Sequence, residues 1–247
     1  MAVTRADIDF IQTGFQKIGG WCIDEAAYLT CCLLSSQADA GCSGGTFEIG
    51  VYQGKYLSVL YHCARAFNWS TVGLDTFQWS SSDAVLASFK DVFGSISGLT
   101  LLTADSQTLQ PSQILGQFGG RRPHFISVDG DHGAAAVCAD IALAKSILGD
   151  GGIIAVDDFL NPRAIGVSEG TYRFFHTTNE NRLRPFCYSS NKLFLADVAN
   201  HNTYRKAVTE FASQMAEIPM CKDFTALLQN DRNHVDQQLL GGPVLIL

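Results

Sequence analysis

Basic side chains are in short supply in this 247-residue chain, where 17 lysines and arginines face 24 acidic residues for a formal charge of −7. Arg121-Arg122 is its one tight basic cluster. Phosphate contacts need a basic face, so no nucleic-acid partner is expected. Long apolar runs are missing as well. The opening MAVTRADIDFIQTGFQK has no apolar core of the signal-peptide kind, and no stretch approaches the roughly 20 apolar residues of a membrane span. The expectation is a soluble cytoplasmic protein with no membrane partner. The eight cysteines, at positions 22, 31, 32, 42, 63, 138, 187 and 221, never take C-x-x-C spacing, and most sit inside apolar runs. They read as reduced thiols used as small core residues, which argues against a disulfide framework and against zinc. Repeats and low-complexity tracts are lacking too.

What is present is enough apolar material for a sizeable core: 47% of the residues are hydrophobic, fitting one domain, or one domain with a small appendage. The most informative stretch is residues 123–159. An apolar run at 125–128 breaks into Asp129-Gly130-Asp131-His132. Apolar positions at helical spacing follow (Val137, Ile141, Ala144, Ile147), then Gly151-Gly152, then a second apolar run at 153–156 ending in Asp157-Asp158. That order is strand, crossover helix, strand, a parallel βαβ unit whose strands end at one edge of a sheet. Neighbouring strands lie roughly 4.8 Å apart. Asp129 and the Asp157-Asp158 pair therefore converge if the two strands are adjacent. Three carboxylates that close repel one another unless a cation neutralises them, and all-oxygen ligation suits a hard divalent ion such as Mg2+. Any one of these aspartates alone is a turn or cap residue. The three together, at the carboxyl ends of core strands, mark a ligand site.

The rest of the chain extends the pattern. Residues 8–18 and a segment opening at Asp24 read as helices laid down before the sheet, and Trp21, in the Gly19-Gly20-Trp21 turn, is expected to pack, with contact to a ligand as the alternative. Residues 46–54, TFEIGVYQG, run from a strand into a helix reaching about Phe67; Glu48 ends the strand, and Gly50 and Gly54 let backbone approach a ligand closely. This E-x-G-x-x-x-G departs from the dinucleotide fingerprint G-x-G-x-x-G. The next strand ends in Asp75, a carboxylate able to accept from both hydroxyls of a ribose. A third ends in Asp105-Ser106, where a polar side chain can read an adenine amine. Residues 184–188 and 192–197 make a hairpin about 189–191, a helix follows over 203–215, and the apolar end 243–247 belongs in a buried strand or a subunit contact of a homo-oligomer.

FEIGVYQGKYL, VGLDTF, ISVDGDHGAA and GGIIAVDDF together resemble the class I S-adenosylmethionine-dependent methyltransferases, and within them the small-molecule O-methyltransferases that act on macrolide sugars and aminocoumarins. The chain is similar, more distantly, to catechol and caffeoyl-CoA O-methyltransferases. The resemblance covers about residues 21–197. It implies an α/β fold: a Rossmann-like, doubly wound, mostly parallel sheet with helices on both faces and an antiparallel strand near the C-terminal end. It further implies three parts: an N-terminal helical lid (1–45), an S-adenosylmethionine-binding core (46–200), and a C-terminal helix and apolar tail packed on that core (201–247). Carried over by residue, Glu48, Gly50 and Gly54 hold the methionine portion of the cofactor, Asp75 the ribose, and Asp105 with Ser106 the adenine. Asp129, Asp157 and Asp158 ligate the metal. The catechol and caffeoyl-CoA enzymes place a basic lysine three residues after the first metal aspartate; here that place is taken by His132, whose imidazole titrates near neutrality and can accept a proton. Asp131 either orients His132 or is itself the base. The acceptor is expected to be a small-molecule hydroxyl: a sugar, a catechol or another vicinal diol. The rival readings are a metal-independent methyltransferase, a non-catalytic cofactor-binding module, and a nicotinamide-dependent oxidoreductase, which leaves the Asp157-Asp158 pair unexplained.

Overall fold

The computed structural model describes residues 3–178 and 180–247. Two helices precede the sheet: α1 (Arg5–Gln12), opened by a capping box between Thr4 and Asp7, and α2 (Asp24–Asp39). The helix expected over 8–18 stops early. Its continuation past Thr13 is a short 3-10 turn, Phe15–Lys17, entered through Gly14, where an added Cβ would meet Phe10 and Val92 at 2.9–3.2 Å. The alternating unit then begins: β1 (Thr46–Ile49), α3 (Lys55–Ala66), β2 (Thr71–Asp75), α4 (Ser82–Phe93), β3 (Leu99–Thr103), α5 (Pro111–Gln117), β4 (Phe125–Val128), α6 (Ala134–Ile147) and β5 (Ile153–Val156). α7 (Ile165–Thr177) leads to the hairpin of β6 (Leu183–Ser189) and β7 (Lys192–Asp197). Its two-residue turn, Ser190-Asn191, has φ of 53° and 70°, the positive pair that matches strand twist in a tight hairpin. The chain closes with α8 (His201–Gln214), α9 (Pro219–Asn230), β8 (Asp236–Leu239) and β9 (Gly242–Ile246).

The strands form one sheet in the order β3-β2-β1-β4-β5-β7-β6-β9-β8. The first five are parallel, and β7 returns antiparallel between β5 and β6. This is the doubly wound, mostly parallel architecture expected from the sequence. β1, β4 and β5 are buried at every residue, as strands covered on both faces must be. Alternation splits their side chains between two cores. Phe125, Ile153 and Ala155 pack with α2, α3 and α8, whereas Ile126, Val128, Ile154 and Val156 pack with α5, α6 and α7. No helix among the described residues is long and apolar enough to cross a membrane.

This topology places the site. The winding direction reverses between β1 and β4, and in open α/β sheets ligands bind outside the carboxyl ends of strands at such a switch point.

Candidate active site

At that switch point lies a cleft of about 820 Å3 lined by Glu48, Gly50, Asp75, Asp105, Ser106, Asp129, Asp131, His132, Asp157 and Asp158. The volume falls within the few hundred to one thousand Å3 of small-molecule sites. Pairing of β4 with β5 through Val128↔Val156 brings the acids at the two strand ends together. Every residue expected at the site borders this cleft except Gly54. Gly54 caps α3 at φ +90°, and a Cβ there would meet Phe89 Cε2 at 2.8 Å and Val85 Cγ1 at 3.0 Å. It lets α3 start close beneath α4 and does not face the ligand space. Gly50, at φ +88°, is required by proximity: a Cβ would lie 1.8 Å from the carbonyl oxygen of Asp129, where the exits of β1 and β4 cross.

At one end of the cleft, Asp75 holds the turn after β1 in place, accepting the amides of Tyr52 (2.7 Å) and Phe77 (2.5 Å). Asp105 caps a short turn by accepting from Gln107 N–H at 2.9 Å. Glu48 is 1% exposed, and its Oε2 has no protein partner among the described residues. Burial, and after it the charge of Asp129, raises its pKa well above the carboxylate range. An orphaned buried carboxyl facing a cleft fits a ligand bearing hydrogen-bond donors, such as the ammonium and amines of S-adenosylmethionine.

At the other end, donor atoms of Asp129, His132 and Asp158 lie within 4.8 Å of one another. His132 Nε2 is 3.3 Å from Asp158 and 3.8 Å from Asp129. Asp129, foremost, and Asp158 raise the imidazole pKa against the opposing effect of burial. Asp158 adopts φ +56°, and Asn161 (2.7 Å) and Asn191 both donate to its Oδ1, which fixes its direction. The two carboxylates so placed suit a hard divalent ion, and the imidazole nitrogen beside them is placed to take a proton.

Asp157 lies beside Asp129 but is paired with a cation of the protein. The Lys192 ammonium contacts its Oδ2 at 2.7 Å and lies 4.0 Å over the Tyr56 ring. Lys192 is 2% exposed. Burial alone would raise the Asp157 pKa and lower that of Lys192, but their mutual attraction overrides it, leaving Asp157 low and Lys192 high. Burial and the adjacent Asp157 push Asp129 upward. So one of the three carboxylates expected as metal ligands already has a cation of the protein's own.

Lys192 was not expected from the sequence, although a lysine opening the apolar strand KLFLAD is a visible signal that the side chain is buried with a partner. Trp21 is a correction. It does not pack in the core but is 84% exposed, stacked on Tyr52 with centroids 5.1 Å apart and rings 7° from parallel, at the wall of the cleft.

A family model described as a methyltransferase domain matches residues 47–159. Solved structures share the fold. The O-methyltransferase NovP is 12% identical, with 70% of this chain and 80% of NovP covered at a TM-score of 0.59. CalS11, the TDP-rhamnose 3'-O-methyltransferase of calicheamicin biosynthesis, is 16% identical, with 78% and 81% covered at a TM-score of 0.51. MycE of the mycinamycin pathway, solved with Mg, S-adenosylhomocysteine (SAH) and mycinamycin VI, is 15% identical, with 77% of this chain and 54% of MycE covered at 0.52. No curated protein matches the sequence. Residues 47–159 thus match a methyltransferase domain, and they carry most of the strand ends that line the switch-point cleft of this Rossmann-like sheet.

Proposed function

We propose that the protein is an S-adenosylmethionine-dependent O-methyltransferase acting on a hydroxyl of a small molecule. The observation that carries this reading is the meeting, in one cleft, of the strand-end acids Asp75 and Asp105 with Ser106, an orphaned buried carboxyl (Glu48), and the close group of Asp129, His132 and Asp158. Residues 46–200 form the cofactor-binding core, 1–45 cover one side of the cleft, and 201–247 buttress the sheet.

When bound, S-adenosylmethionine supplies a methyl group already activated on a sulfonium, and a divalent ion supplies Lewis acidity at the acceptor oxygen. The chain's own residues do the rest. Asp75 accepts from the ribose hydroxyls, Asp105 and Ser106 border the adenine, Gly50 lets backbone approach, and Glu48 takes the donors of the methionine end. Asp129 and Asp158 would hold the cation, with Asp157 beside them. His132 accepts the acceptor's proton at Nε2, and the carboxylates 3.3 and 3.8 Å away stabilise the resulting imidazolium. The Lys192–Asp157 pair favours a second reading, a metal-independent enzyme in which Lys192 supplies the positive charge.

The test is a thermal-shift and turnover series. SAH should raise the melting temperature, and NAD should not. His132→Ala should lower turnover by about 10²- to 10⁴-fold while leaving SAH affinity unchanged. Exhaustive chelation should abolish transfer, and full activity without metal would select the second reading. Loss of SAH binding and turnover in equal measure on His132→Ala would remove His132 as the base.

A further inference from the structure

Outside the cleft, three helices that pack against one another bring together donor atoms that methyl transfer does not use. α1 supplies Asp7, α2 supplies Cys31 and α3 supplies Cys63, and a carboxylate oxygen and the two sulfurs all lie within 4.8 Å of one another. None of the three residues lines the cleft. Cys31 and Cys63 are 2% and 4% exposed, and their sulfurs are 3.3 Å apart. The sequence argued against zinc because no two cysteines take C-x-x-C spacing. The fold supplies the nearness instead, by crossing three helices at one point.

The carboxylate among these donors is held in direction from two sides. Asp7 Oδ2 accepts from the Thr4 N–H at 2.8 Å and from Thr4 Oγ1 at 2.7 Å, and Oδ1 lies 2.9 Å from His62 Nε2 on α3. The His62 ring is fixed in turn, stacked on Phe10 with centroids 4.2 Å apart and planes 5° from parallel. A carboxylate so braced by a histidine is the outer support that metal ligands commonly have. The side chains of Asp7 and His62 are 14% and 19% exposed, so an ion can enter past them to the buried sulfurs. Two sulfurs bound to one tetrahedral zinc at 2.3 Å stand about 3.8 Å apart, so the pair would need to part by only about 0.5 Å. Sulfur donors also set this group apart from the carboxylates of the cleft, because they select soft ions where oxygen alone selects hard ones.

We propose that Asp7, Cys31 and Cys63 form a second cation site, one for a thiophilic divalent ion of the Zn2+ class, with His62 orienting the carboxylate and water completing the tetrahedron. Each thiol gives its proton to solvent as its sulfur takes the ion, two protons for one cation. The ion ties α1 and α2 to α3, and so fastens the helices that precede the sheet to the first helix of the alternating unit.

The experiment is a titration of the full, reduced, metal-stripped chain with Co2+ and then Zn2+, followed by absorption spectroscopy. Thiolate ligation gives Co2+ a charge-transfer band in the near ultraviolet that ligation by oxygen alone does not. One equivalent of Co2+ should raise that band, one equivalent of Zn2+ should bleach it, and Zn2+ should raise the melting temperature. Cys31→Ala and Cys63→Ala should each abolish the band, and Asp7→Asn should weaken Co2+ binding by about tenfold or more. Two variants should keep it: Cys32→Ala, whose sulfur faces the Ala207 carbonyl at 3.9 Å instead, and Asp129→Asn, which alters the cleft that Cys22 lines. Should a cysteine variant fail to fold by circular dichroism, Asp7→Asn, at a half-buried position, carries the test. Absence of a thiolate band from the folded parent, a band that survives Cys31→Ala, Co2+ affinity indifferent to Asp7→Asn, or a band lost in Asp129→Asn would each overturn the proposal.

Discussion

At the scale of single residues, the Lys192–Asp157 pair dominates the energetics of the site. Both side chains are largely withdrawn from water, and their groups meet at 2.7 Å. Removing one partner of a buried pair leaves an uncompensated charge, at a cost of about 3–5 kcal/mol. Lys192→Met is therefore expected to lower unfolding stability by that amount in urea titrations, and Lys192→Met with Asp157→Asn to recover much of the loss, because the double variant buries no orphaned charge. An additive double variant would mean the pair is not coupled. The same residues show what a sequence reveals at this scale. The acids were legible because each ends an apolar run or, for Glu48, interrupts one, so Glu48, Asp75, Asp105, Asp129, Asp157 and Asp158 announce themselves locally. The partner of Asp157 was not, because Lys192 reaches it only through the antiparallel pairing of β5 with β7, which no short window of sequence contains. The exposure of Trp21 was hidden for a similar reason: an aromatic ring beside two glycines packs by default, and only the position of Tyr52 shows that it stacks at an open wall.

At the scale of elements, the strands from β1 to β7 and most helices, α4, α5 and α9 apart, followed from apolar runs and periodicity, and the boundaries were decided by polar groups whose partners lie elsewhere. The turn from α7 into β6 depends on Glu180. Its Oε1 accepts the amides of Arg182 at 2.7 Å and Leu183 at 2.9 Å, and its Oε2 takes the Lys145 ammonium of α6. Burial acts to raise its pKa, but these bonds outweigh it and the carboxyl titrates below its ordinary value of 4.5. A depressed folded pKa means that the stabilisation is complete above the unfolded value and disappears as pH falls through the folded one. Glu180→Gln should thus cost about 1–3 kcal/mol at pH 7. The gap between parent and variant should stay constant down to about pH 5 and close below pH 4.5 in denaturant unfolding. A gap that widened on acidification would contradict the assignment.

At the scale of the whole molecule, the sheet has a working centre and a closing edge, and the two are separable. The crossover pattern made the parallel half legible, since four apolar runs end in acids and a helix at matching spacing joins the runs at 125–128 and 153–156. The edge was not, because β9 lies parallel to β6 through Cys187↔Leu245 and Tyr188↔Ile246, a pairing across distant parts of the chain that leaves no local motif. What the sequence did carry was the apolar character of the last residues, and the structure gives its cause. Val244 packs into the core facing α6 and α7, and Leu245 into the core facing α2 and α8, so the final strand seals both faces of the sheet at once. Burial of two such side chains stabilises by about 3–6 kcal/mol, a large part of the 5–15 kcal/mol typical of a domain. A chain ending at Asp231 loses β8 and β9 and exposes the edge of β6, and at about 2–4 °C per kcal/mol its melting temperature should fall by roughly 6–24 °C. Among the described residues, none that lines the cleft lies beyond Lys192. At temperatures where the shortened chain is folded, its SAH affinity measured by calorimetry should therefore match that of the parent. A shortened chain that melted cooperatively yet no longer bound SAH would show that the closing edge reaches the site, and that centre and edge are a single unit.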